Sequence, residues 1–117
     1  MTRSTPLLVA LFVPLSGCGP NAHAVMQAGK DSFKARKYEE AKASFTKCLE
    51  LDPNMAECHL ALGSLLARER RPEDALVHYR EFLRLEPNHE RAKEVRILLK
   101  DYEDSLKSPA AGAQPAP

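Results

Sequence analysis

Laid on itself with a shift of 34 residues, the chain matches at a set of defined positions. Gly29 falls on Gly63, Ala41 on Ala75, Phe45 on Tyr79, Leu49 on Leu83, Leu51 on Leu85, Pro53 on Pro87 and Asn54 on Asn88. A period of this length limits the fold more than any compositional figure. One such unit cannot bury its own apolar face, so neighbouring units must stack and share a core. The matched residue types are those of a helix pair. Gly29, Gly63 and the small Ala41 and Ala75 let two helices approach closely, and Phe45 and Tyr79 fill the space between them. Pro53 and Pro87 cannot continue a helix, so they end the second helix of each unit. Asn54 follows as the expected N-cap, with Glu57 three residues on to complete a capping box.

The pattern predicts helices over 22–35, 38–51, 55–69, 72–85 and 89–106. The fourth carries Ala75, Leu76, Tyr79, Phe82 and Leu83 on one face, and the fifth carries Ala92, Val95, Leu99, Tyr102 and Leu106. These are single apolar stripes at helical spacing. Pro72 is expected in the first turn of its helix, where its missing N–H costs nothing. The chain has no Trp, and its β-branched runs are few, which argues against a sheet.

The period and pattern resemble the tetratricopeptide repeat, a helix–turn–helix unit. The resemblance implies an all-α array of two repeats, residues 22–54 and 55–88, closed by a capping helix at 89–107. The chain departs from the family pattern in places. Val25 and His59 stand where the family has a large aromatic residue, Ser32 and Leu66 where it has Tyr, and Ala28 where it prefers Leu. Pro72 replaces the aromatic seen as Tyr38. Two repeats with a cap is short, since stacks usually need about three to bury a continuous core.

The segment ahead of the repeats is expected to lie outside the fold. Arg3 is followed by the apolar run Leu7 to Val13, too short to span a bilayer and suited to a secretory signal. The run closes on Leu15-Ser16-Gly17-Cys18, which resembles the lipobox of bacterial lipoproteins. That resemblance implies a signal peptide over 1–17, a lipidated Cys18 as mature N-terminus, and a short tether over 18–21. Gly19 in place of Asp points to the outer membrane, with the domain facing the periplasm. At the other end, residues 108–117 are rich in Ala and Pro and are expected to be disordered.

A net charge of +1 gives no global basic field for nucleic acid. No zinc-like spacing, H-E-x-x-H or G-x-S-x-G occurs. No catalytic residue, metal site or cofactor is therefore expected, apart from covalent lipid on Cys18. His59 reads as a partly buried packing residue. Cys48 and Cys58 flank the Asp52-Pro53-Asn54 turn and are either a disulfide, which export would permit, or two free buried thiols.

In arrays of this family the first helix of each repeat lines a concave face that carries the ligand. The resemblance places Met26, Gln27, Lys30, Phe33 and Lys34 there from the first repeat. The second adds Glu57, Leu60, Ser64 and Arg68, and the cap Arg91, Val95 and Leu98. Met26, Phe33 and Leu60 between Lys30, Lys34 and Arg68 would suit an extended or helical protein segment with some acidic character. The alternative is that Phe33 belongs to the core and the charges form a solvated face. Met26 and Lys30 stand where chaperone-tail receptors of the family carry Lys and Asn, so that ligand is not expected. Three roles follow: an adaptor for an envelope protein, aiding assembly of an envelope, pilus or secretion complex; a self-associating structural lipoprotein; or an accessory to a cell-envelope enzyme.

Overall fold

The computed structural model describes residues 20–108. Cys18, the signal segment and residues 109–117 lie outside the described residues. Five helices run in order: α1 (Ala22–Lys34), α2 (Tyr38–Leu51), α3 (Ala56–Arg68), α4 (Pro72–Leu85) and α5 (Ala92–Lys107). Short turns join them, so successive helices are antiparallel. No strand occurs among the described residues.

The repeat geometry rests on two close approaches. A Cβ at Gly29 would lie 2.8 Å from the Phe45 ring, and one at Gly63 would lie 2.6 Å from the Tyr79 ring. Only a residue without a side chain lets α1 meet α2, and α3 meet α4, at this distance. Ala41 and Ala75, both wholly buried, allow the approach from the other side.

Helix α3 joins the two repeats. Cys58, Leu62 and Leu65 pack with Ala41, Phe45 and Cys48 of the first repeat. Leu60 and Leu66 of the same helix pack with Ala75, Tyr79, Phe82 and Val95. The first core is reinforced covalently by a Cys48–Cys58 disulfide linking α2 to α3, with Cα atoms 6.6 Å apart. Both cysteines are fully buried.

Several helix ends differ from expectation. The Asn54 capping box does not form: the backbone N–H of Asn54 donates to Asp52 Oδ1 at 3.0 Å, and Met55 becomes the cap residue of α3. An aspartate two residues upstream has taken the chain into a side-chain turn before Asn54 can cap. Asn21 does cap α1, accepting from the Ala24 N–H at 2.8 Å. Helix α5 starts at Ala92 rather than 89, because His89 Nδ1 accepts the Arg91 N–H at 3.1 Å and holds that segment in a turn. Its far end extends past the packed face: Tyr102 stacks on Tyr79, with ring centroids 6.4 Å apart, but Leu106 is exposed.

Both turns within the repeats use the left-handed backbone region, at Arg36 (φ 61°) and Arg70 (φ 59°). For a residue with a Cβ this conformation costs about 1 kcal/mol. The two positions are equivalent under the 34-residue shift.

Candidate functional site: a groove between the first helices

Lys30, Phe33 and Lys34 from α1, Glu57, Leu60 and Ser64 from α3, and Arg91 from the turn before α5 surround one cavity of about 360 Å³. Phe45, Ala61, His89 and Glu90 complete its wall. The first helices of the repeats thus share one groove, because the antiparallel turns put α1, α3 and the start of α5 on the same side.

Within the groove the predicted residues differ in standing. Phe33 is 38% exposed, with its ring edge-on to Tyr38 at 5.4 Å. Leu60 touches the groove but is only 6% exposed; it is a core residue that also forms the floor. Lys30 pairs with Glu57 across the groove, so each neutralises the other. The Ser64 hydroxyl donates to the Leu60 carbonyl of its own helix at 3.0 Å.

Five expected groove residues are not part of this wall. Val95 has no exposed surface and packs among Leu60, Tyr79 and Phe82; its stripe on α5 faces the core, and the groove placement is corrected accordingly. Met26 is half-buried against the first core. Gln27 sits on the solvent side, donating to Asp31 at 3.1 Å. Arg68 lies at the end of α3, with its guanidinium 4.3 Å above the Tyr38 ring. Leu98 lines a small depression on the outer face of α5 with Ile97. His89, Glu90 and Ala61 were not foreseen, since the turn that brings 89–91 over α3 replaces a stretch predicted as helix.

A wider, shallower depression of about 870 Å³ lies between α2 and α4. Its charges are mutually satisfied by Lys42–Glu69 (2.5 Å), Arg71–Asp74 (2.6 Å) and Lys47–Glu50 (3.2 Å), which leaves little for a ligand to gain. At its edge stands His78, whose Nδ1 lies 3.1 Å from His59 Nδ1. His59, 9% exposed, places Nε2 2.9 Å from the Pro53 carbonyl. That carbonyl only accepts, so neutral His59 carries its proton on Nε2 and takes a hydrogen bond from His78 Nδ1–H.

Burial, and then the nearby His59, hold the His78 pKa below its ordinary 6.5, with Asp74 opposing them. A histidine depressed in the folded state takes up its proton more readily on unfolding. The stability it contributes is complete above pH 6.5 and is lost as pH falls through 6.5 toward the folded value. Urea midpoints should therefore decline below pH 6.5, and His78→Gln should flatten that decline.

No cluster of three or more metal-ligating side chains occurs among the described residues. No helix among them is long and apolar enough to cross a membrane. No curated protein matches the chain. A family model described as tetratricopeptide repeat matches residues 32–99, more than half of the chain. Repeats of this kind generally mediate protein–protein interaction and are typically non-catalytic. With the 34-residue period, paired helices and shared groove already established, the chain belongs to the tetratricopeptide repeat family.

Proposed function

We propose that the protein is a membrane-tethered adaptor that holds a segment of an envelope protein in the α1–α3 groove and catalyses no reaction. The observation that carries this reading is Phe33. It is a large apolar side chain left exposed beside a cavity whose rim is polar, and such a residue gains by excluding water against a partner. Because Leu60 belongs to the core, Phe33 is the position at which binding and folding separate. Phe33→Ser should weaken capture of the native partner about tenfold in pull-downs from membranes and leave the melting temperature nearly unchanged. Equal capture by the variant would refute the groove.

The tether is proposed from Leu15-Ser16-Gly17-Cys18, with lipid on Cys18 as the only non-protein group and the outer membrane as the site. The buried Cys48–Cys58 disulfide supports export, since such bonds persist in oxidising compartments. Confinement to a membrane surface would raise the effective concentration of the groove near its partners. Mass analysis of the membrane-extracted protein should give a chain beginning at Cys18 and heavier by two or three acyl chains; an unlipidated chain starting elsewhere contradicts the tether.

A second reading, self-association, is favoured by one feature. Ala24, Val25, Ala28, Ala43 and Ser44 form a shallow small-residue surface at the edge of the first repeat, where a further repeat would stack. Concentration-dependent mass in detergent separates this from the adaptor.

A further inference from the structure

The two turns within the repeats, 34–37 and 68–71, carry six cations and one carboxylate: Lys34, Arg36, Lys37, Arg68, Arg70 and Arg71 against Glu69. They lie side by side. Arg68 of the second turn stacks 4.3 Å above Tyr38, the residue after the first turn. Lys42 on the second turn of α2 reaches Glu69 of the second repeat's turn at 2.5 Å. Of the carboxylates beside the turns, Glu40 pairs with Lys37, Glu39 and Glu69 with Lys42, and Asp74 with Arg71, while Asp31 and Glu73 hold no ion pair among the described residues. Lys34, Arg36, Arg68 and Arg70 have no ion-pair partner among the described residues. Elsewhere pairing is the rule, as in Lys30–Glu57, Lys47–Glu50, Arg80–Glu103, Arg84–Glu81, Arg91–Glu94 and Lys100–Asp104.

A second, independent observation is the backbone. Arg36 and Arg70 both occupy the left-handed region, where glycine would sit without strain. Each repeat thus spends backbone strain to place a guanidinium at the same corner. Strain of this kind collects where a side chain is used.

We propose that Lys34, Arg36, Arg68 and Arg70 form a docking pole for a run of carboxylates on the protein partner. The proposal rests on the protein-binding reading above and extends it by giving the bound segment a direction. Lys34 lines the groove and also belongs to the pole, so a segment anchored by an apolar residue at Phe33 runs its acidic end across the two turns. Carboxylates of a protein fit better than a lipid surface. The pole lies at the far end of α1 from Ala22, about 20 Å along a helix of 13 residues, away from the end that a lipid on Cys18 would hold. Guanidinium forks match carboxylates in bidentate geometry.

The test uses the full chain in non-ionic detergent and a labelled oligoglutamate peptide, read by fluorescence anisotropy. Arg36→Gly with Arg70→Gly should weaken binding about tenfold, and the wild-type affinity should fall with added salt. The same double variant should melt a few degrees higher, roughly, because the left-handed strain is gone. Lys93→Ala with Lys107→Ala removes equal charge elsewhere and should change affinity less than about twofold. Equal losses from the two pairs overturn the proposal, as does tighter binding to phosphatidylglycerol vesicles or a single-stranded oligonucleotide than to oligoglutamate. Oligoglutamate carries no apolar anchor, so its affinity reports the pole, whereas capture of the native partner by Phe33→Ser reports the groove. A failed arginine result beside an intact Phe33 effect on partner capture therefore removes the pole and leaves the groove; the reverse removes the groove alone.

Discussion

Cys48→Ala with Cys58→Ala should destabilise the protein by about 3 kcal/mol, the loop-closure value for a bridge of this span. For a domain of this size that corresponds to a melting temperature lower by roughly 12–24 °C. The magnitude follows from what the bond replaces. Two repeats bury a short core, and no helix among the described residues covers the outer side of the first repeat, so the covalent link between α2 and α3 substitutes for stacking that a longer array would supply. Both cysteines lie at the centre of the first core with Phe45, Leu62 and Leu65. A reductant titration followed by circular dichroism should show the same loss in the wild-type chain. A melting temperature insensitive to both treatments would mean that the core alone carries the repeat.

Gly63→Leu should cost on the order of 3 kcal/mol, at the upper end of overpacking effects. Even the first carbon of the new side chain would lie 2.6 Å from the Tyr79 ring, and Tyr79 is 2% exposed with no room to withdraw. The contact is pairwise, so it can be checked as such: Gly63→Ala combined with Tyr79→Leu should be less destabilising than the sum of the two changes. Strict additivity would show that the close approach at Gly63 does not limit packing. Gly29→Leu should be milder, because the Phe45 ring stands slightly farther from the added carbon, at 2.8 Å.

The helices were legible because each carries an apolar stripe at one period, and the turns because Pro53 and Pro87 forbid continuation. What stayed hidden depends on contacts between residues distant in sequence. Leu60 and Leu62 lie two apart on α3 and belong to different cores, a division no single stripe reveals. Val95 reads equally well as groove or core until the direction of α5 is fixed by the turn at His89. The Lys30–Glu57 pair crosses between repeats, so Lys30 looked like a steering charge in the sequence. The left-handed turns were invisible because arginine has no preference for that conformation; glycine would have announced them.

The central claim is that a protein partner occupies the α1–α3 groove, and a photocrosslinking amino acid at position 33 tests it most directly. Phe33 borders the groove and Val77, 57% exposed, stands on α4 away from it, so position 77 is the matched control. In intact cells, position 33 should give a discrete protein adduct that position 77 does not, and the adduct should weaken when Lys34 and Arg68 are reversed in charge. Adducts of equal yield from both positions, or none from position 33 at native expression, would contradict the account.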